Sequence, residues 1–424
     1  MNRIIVIGNG FDLAHGLKTS YKNFIYHFWE NNFKYYFENL YQFPPNALFE
    51  KAFYNNRIFN ESNLKPIQQF IFNNISEDFD LLKHLHSIQG FYEEFLTPLL
   101  RVICKNINKK GWSDIEDDYY QLMKGSAYKR NGEKPKIKTL FNECSSLLTP
   151  TIINSQLDEI SNLLKEYLIE NTKNPVRLNE ISSIIHEPIY KNDIATNNYD
   201  DYDFYCEQII RNEYPNLISR WKDNGIHPSV YETILKEYSE SKQNVNNILD
   251  DYLVLPNQIL LLNFNYTNTC NQYFDNKQNY ISQIHIHGSL DKPNSLIFGY
   301  GDEMDKDYEF IQDLNDNQYL EKIKSIKYLE GDNYRKLLNF IESDKFQIYI
   351  MGHSCGNSDR TLLNSLFEHQ NCVTIKPFYH KLENGSDNYM EIIQNISRNF
   401  TDMNLMRDRV VNKTFCEPLP QNNL

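Results

Sequence analysis

The stretch MNRIIVIGNGFDLAHGLKTSYKNF (Met1–Phe24) decides how the rest of the chain is read. Ile4-Ile5-Val6-Ile7 is apolar on both faces of an extended strand. That is the pattern of a central strand in a parallel sheet, buried above and below. It stops at Gly8-Asn9-Gly10, which allows a tight turn and close backbone approach. A helix starting there would point its N–H groups at a phosphate. The full G-x-G-x-x-G spacing is not met, because Leu13 holds the third position. Taken alone, the turn reads either as a nucleotide loop or as an ordinary strand end.

A lone strand cannot satisfy its own edges, so β partners must come from elsewhere in the chain. Strand patterns recur only late, at Gln258–Phe264, Tyr280–His287, Ser295–Phe298, Gln347–Met351 and Cys372–Pro377. Helical spacing fits Asn317–Ser343, Asp359–His369 and Asn388–Asn399 between and after them. Strands alternating with helices predict a parallel α/β sheet. From Phe24 to Asn247 the pattern is helical instead, as in Phe91–Ile103 and Leu157–Glu170. Polar interruptions fall at Lys129–Lys136 and Asn192–Phe204. The expected architecture is a discontinuous α/β core, residues 1–30 and 250–400. A mostly helical insertion over 31–249 interrupts it, and 401–424 form a C-terminal tail.

Composition narrows the function classes. The 424 residues are 41% hydrophobic, enough to bury a core. No apolar run nears the roughly 18–20 residues of a membrane helix. Ile4–Ile7 is too short for a signal peptide, so the expected compartment is the cytoplasm. The seven cysteines are widely spaced with no C-x-x-C, which argues for reduced thiols and against a disulfide framework or structural zinc. A net charge of −13 disfavours nucleic acid and acidic membranes as partners. A small anionic ligand held by backbone N–H groups is still allowed.

Three further motifs carry chemistry. Asn263-Phe264-Asn265-Tyr266-Thr267 follows an apolar strand, at the end where open α/β sheets place ligands. Asn265 can orient a water there, or merely cap the next helix. His285-Ile286-His287-Gly288-Ser289 puts both histidines on one strand face. His287, beside a glycine, suits a general base near pH 7. The alternatives are a metal pair, for which no third ligand is evident, and one structural with one solvent-facing histidine. Gly352-His353-Ser354-Cys355-Gly356 is literally G-x-S-x-G. It makes Ser354 either a hydrolase nucleophile or a loop residue contacting a ligand, with Asp359 at the next helix start. As a nucleophile it lacks a well-placed acid, and only His369 and His380 follow it.

Together these segments, IGNGFDLAHGLKTSYKNF, LNFNYTNTC, IHIHGSLDKPNSLIFGYGD and IYIMGHSCGNSDRTLLNSLF, resemble the bacteriophage abortive-infection AbiH family. The order is also similar, more distantly, to the sirtuin-like NAD-binding fold of anti-phage NAD hydrolases. The resemblance implies a Rossmann-like, sirtuin-like parallel sheet and hydrolysis of NAD to nicotinamide and ADP-ribose. It implies an NAD loop at Gly8, Asn9, Gly10, Phe11 and Asp12, and a catalytic pair Asn265 and His287. Gly352 and Ser354 would contact ribose or adenine. No metal and no cofactor beyond NAD as substrate are required. Asn9, Lys18 and Thr267 depart from the sirtuin pattern, and the C-x-x-C zinc pairs of deacylases are missing. Hydrolysis is therefore the implied activity. A phage-derived trigger and homo-oligomerisation are the implied partners. The competing readings are a non-catalytic nucleotide sensor that signals by assembly and a serine hydrolase at Ser354.

Overall fold

The computed structural model describes residues 1–39, 41–43, 48, 61–73, 80–88, 91, 96–110, 115–132, 148–173, 175–195, 198–200, 202, 255–274, 280–292, 295–382 and 384–422. The late part of the expected helical insertion, 203–249, lies outside them, as do residues 250–254 of the expected core. So do residues 92–95 of the helix read at Phe91–Ile103, and 133–136 of the interruption at Lys129–Lys136. The chain forms two compact units. The first is Met1–Gly16, Pro175–Leu296 and Tyr328–Leu424; the second is Leu17–Asn174 and Ile297–Lys327. Residues 175–195 thus lie in the first unit, and 297–327 in the second.

The first unit is α/β. Its strands are β1 (Asn2–Ile7), β2 (Ile259–Asn263), β3 (Ile281–His285), β4 (Phe346–Met351) and β5 (Cys372–Phe378). They form one all-parallel sheet in the order β3-β2-β1-β4-β5. β1 is fully buried and pairs on both sides, Ile5 with Leu261 and Tyr349. Its apolar, β-branched residues suit a strand covered on both faces. β3, at one edge, is only partly buried, with Ile281 and Ile284 inside and Ser282, Gln283 and His285 accessible. β5, at the other, carries Pro377 and is covered by bridges to Val410 and from Ala195 N–H to the Val373 carbonyl. Proline and a covering segment both blunt an edge.

The chain moves outward from β1 through β2 to β3, then crosses back to β4 and β5. The direction reverses between β1 and β4, and ligands of open α/β sheets bind at the carboxyl end of such a point. Beneath the sheet, Arg3 is completely buried. Its guanidinium donates to the carbonyls of Ile184, Ile185, Glu187 and Pro188, and to Gln347 Oε1. It thereby satisfies the orphan C-terminal carbonyls of the helix Asn179–His186. The final segment also belongs to this unit: Leu419 is in the core, and Asn422 N–H donates to the Ala14 carbonyl.

Two expectations need correction. Ser295–Phe298 is not a strand. Gly288 has φ +83, and a β-carbon there would stand 2.0 Å from the Ser295 carbonyl oxygen. The segment therefore folds back onto the His287-Gly288 turn rather than extending the sheet. The helix read at Asn317–Ser343 is broken into Asn317–Tyr319, Lys324–Lys327, Tyr328–Glu330 and Asn333–Ser343, with Gly331-Asp332 starting its last part.

The second unit is helical where described. Its helices include Tyr21–Glu38, capped by Ser20, and Pro150–Asn171, capped by Thr149 with proline at its first turn. The helix Ile115–Arg130 presents Glu116, Tyr120, Lys124 and Tyr128 at four-residue spacing, one face of a helix. Each meets the 297–327 segment: Glu116 pairs with Lys324 at 2.6 Å, and Tyr120 stacks on Tyr300 at 3.9 Å. Lys124 pairs with Asp305 at 3.0 Å, and Tyr128 donates to Asp307 at 2.5 Å. No described helix of the chain is long and apolar enough to cross a membrane.

Candidate active site

The loops after β1, β2, β3 and β4 all leave the carboxyl edge of the sheet. The loop after β1 is built against the loop after β4. Gly10 N–H donates to the Gly352 carbonyl at 2.8 Å, and a β-carbon on Gly8 would stand 2.5 Å from His353 Cα. Gly352 itself has φ +73. The glycines are thus required by the contact between two loops. Asn9 is half-buried and opens a helix of only six residues, Asn9–Ala14. Phe11 is fully buried, packed on His15 and Tyr273 at ring distances of 4.4 and 5.9 Å. Its ring is a core contact.

Asp12 ties the first loop to the second. Its Oδ2 accepts from Thr267 Oγ1 at 2.6 Å, while Oδ1 is buried with no hydrogen-bond partner among the described residues. Burial pushes this carboxyl up to about 6. In the loop after β2, Asn263 organises the turn: its Oδ1 accepts from Asn265 N–H at 2.9 Å and its Nδ2 donates to the Thr267 carbonyl at 3.0 Å. Asn265 is half-buried, and its Nδ2 donates to the Gly8 carbonyl at 2.9 Å. The amide therefore joins the first and second loops.

The two histidines of the β3 motif go different ways. His285 ends the strand. Its Nε2 lies 2.6 Å from Gln283 Nε2, its Nδ1 lies 3.3 Å from the Asn265 carbonyl, and burial pushes its imidazole below the ordinary value. His287 lies beyond the strand and is buried. Its Nε2 stands 3.1 Å from Asp359 Oδ1 and 3.1 Å from Tyr328 Oη. The Phe264 ring meets it edge-on at 5.2 Å. Asn265 and His287 lie two residues beyond the registered pair Asn263 and His285, on adjacent loops. No hydrogen bond joins their side chains among the described residues.

Around Asp359 the structure brings together residues that the motifs did not combine. Asp359 is buried immediately before the helix Arg360–Phe367. Its second oxygen faces His353 Nε2 at 3.6 Å. In the sequence His353 carries no evident role, and Asp359 reads as a helix start. Tyr328 carried no motif signal; its ring stacks between His287 and Tyr334, at centroid distances of 6.1 and 5.6 Å. Among the described residues, no group of three or more His, Cys, Asp and Glu side chains is arranged to hold a metal ion.

Ser354 is exposed, and its carbonyl accepts from Asn395 Nδ2. Among the described residues no histidine or carboxylate is hydrogen-bonded to its hydroxyl. His369 lies 3.3 Å from Glu342, and His380 lies 2.7 Å from Gln421. Among the described residues, no base stands hydrogen-bonded to the serine that the nucleophile reading would use. The positive φ of the motif falls on Gly352 and Cys355 rather than on the serine.

A family model described as "Bacteriophage abortive infection AbiH" matches residues 4–380 of the chain. No curated protein matches it, and no solved structure does.

Proposed function

The chain belongs to the AbiH family of bacteriophage abortive infection, and from that premise we propose that it depletes the infected cell of NAD by hydrolysing the nicotinamide bond. The observation that carries this reading is the buried pair of His287 and Asp359 at 3.1 Å, beside the switch point of a parallel sheet. A carboxylate beside an imidazole orients the ring and favours its protonated form, which is what a proton acceptor needs. The strand order β3-β2-β1-β4-β5 puts a switch point between β1 and β4, as in doubly wound sheets that bind dinucleotides, and by that analogy it supports a Rossmann-like, sirtuin-like reading with NAD as the substrate.

In the proposed reaction, water attacks the ribose carbon attached to nicotinamide. The C–N bond breaks, and its electron pair leaves with the nicotinamide nitrogen. His287 takes the proton that water loses, and Asp359 stabilises the imidazolium. Asn265 exchanges its bond to the Gly8 carbonyl for one to the water or a ribose hydroxyl. Gly8, Gly10 and Gly352 hold the loops after β1 and β4 against each other beside the site. Positioning supplies much of the rate. The products are ADP-ribose, nicotinamide and one proton.

The test is to incubate purified full-length protein with NAD, adding infected-cell extract if it is silent alone, and to follow NAD loss and nicotinamide release. Turnover that persists unchanged in Asn265→Ala and His287→Ala would remove these residues from the reaction. A second reading, a nucleotide sensor signalling by self-assembly, draws on the Asn265 amide being bonded to Gly8 rather than standing open. It predicts nucleotide-dependent stabilisation with no turnover. The helical unit is the part we assign to control by a phage-derived trigger, checked by comparing the oligomeric state with and without infected-cell extract.

A further inference from the structure

His353 has no task in the reaction just described, yet it is held from several directions. The glycine turn after β1 lies against its backbone, as the 2.5 Å approach of a Gly8 β-carbon records. The Phe264 ring packs on its imidazole at 4.3 Å. Cys355 N–H donates to its Nδ1 at 3.0 Å. A backbone N–H can only donate, so Nδ1 is the acceptor, and the neutral ring carries its proton on Nε2. That N–H faces Asp359 Oδ2 at 3.6 Å, an electrostatic contact of the length that apo catalytic sites often show before substrate tightens them.

The residue whose N–H meets His353 has an unusual backbone. Cys355 has φ +54, where a residue with a β-carbon costs on the order of 1 kcal/mol or more. The strained peptide is secured by Asn399 Nδ2, which donates to the Cys355 carbonyl at 2.9 Å.

We propose that His353 is a positioning residue: it holds one oxygen of Asp359 so that the other stays on His287, making His353, Asp359 and His287 one ordered chain. The proposal rests on the reading of His287 as the proton acceptor. With Oδ2 engaged, rotation of the carboxylate is restrained and Oδ1 keeps its 3.1 Å contact with His287 Nε2. Oδ1 then accepts the Nε2 proton of His287, which fixes that ring's tautomer as well. The groups facing His287 include Asp359 before the helix Arg360–Phe367, Tyr328 before the helix Asn333–Ser343, and the apolar Phe264 after β2; His353 acts through Asp359.

The test uses the full chain labelled with ¹⁵N-histidine. Two-bond ¹H–¹⁵N spectra read the tautomer and titration of His287 in wild type, His353→Asn, His353→Gln and Asp359→Asn. Asparagine keeps an acceptor for Cys355 N–H but loses the Nε2 donor; glutamine restores a donor near that place. The His287 signals of His353→Asn should move toward those of Asp359→Asn, while His353→Gln stays near wild type. With NAD, His353→Asn should lose roughly tenfold in kcat at nearly unchanged KM, and His353→Gln should recover most of it. His287 signals in His353→Asn that superimpose on wild type would overturn the proposal. If the wild type does not turn over NAD, the proposed function fails, and the spectra alone decide the role of His353.

Discussion

Gly352 lies so close to Phe11 that a β-carbon on the glycine would stand 2.0 Å from the Phe11 backbone nitrogen. The loops after β1 and β4 therefore fit together only while both are bare of side chains at the contact. Gly352 also has φ +73, which L side chains rarely adopt. Gly352→Ala should destabilise the protein by at least about 2–3 kcal/mol, read as a lower urea midpoint. Gly331→Ala is the control: no atom lies within 4 Å of a β-carbon there, and it should be tolerated. Equal midpoints for the two variants would show that the loop contact is not rigid.

Removing the charge partner of His287 tests the chemistry without removing the histidine. Asp359→Asn leaves the shape but not the carboxylate that faces His287 and His353. NAD turnover should fall by roughly 10²–10⁴, the range general acid–base groups supply, with thermal stability changed far less. Retained turnover would remove the pair from the reaction.

Arg3 should be among the costliest residues to truncate. It is completely buried and donates to four backbone carbonyls and Gln347, and its guanidinium lies 4.3 Å from the Tyr349 ring centre. Arg3→Met strands those acceptors and the nearby Glu187, which also accepts from Tyr349 Oη. The expected loss is about 3–5 kcal/mol. Arg3→Lys should recover little, because one ammonium cannot reproduce the planar fork. Chemical denaturation measures both.

Asp12 makes stability depend on pH with a definite sign. Its folded-state carboxyl is raised by burial from 3.8 to about 6. The folded chain therefore binds the proton more tightly than the unfolded chain. The stability this contributes is full below about pH 4 and is lost as pH rises to about 6. Stability measured for wild type relative to Asp12→Asn should fall by on the order of 2–3 kcal/mol between pH 4 and pH 7. His15 and His285, pushed down by burial, titrate in both proteins and cancel from that difference. A difference that does not vary with pH would place the Asp12 titration outside this window.

Much of the sheet was legible. Ile4–Ile7, Gln258–Phe264 and Gln347–Met351 are apolar on both faces, and only a two-sided parallel sheet buries such strands. Ser295–Phe298 misled because a local β pattern does not register a glycine that turns the chain back at Gly288. The long helix at 317–343 misled because its periodicity continued across Gly331-Asp332, where the chain restarts a helix.

Of the candidate site, only some members carry a local signal. Asn265 and His287 could be singled out because each follows a strand whose end is readable. His353 and Asp359 stood in a quoted motif, but no spacing rule says that a residue after β4 faces a histidine after β3. Tyr328 had no local signal at all.

By itself the sequence determined the five strands of the sheet to within a few residues, that they run parallel, and that polar residues gather where they end, because burial pattern is a local property. The tertiary structure alone decided that Asp359 stands between His287 and His353, and that Arg3 serves a helix end more than 180 residues away. Except for His353 with Asp359, those contacts join residues far apart along the chain. Their distances are set by the order of strands in the sheet and by two loops bare enough to touch.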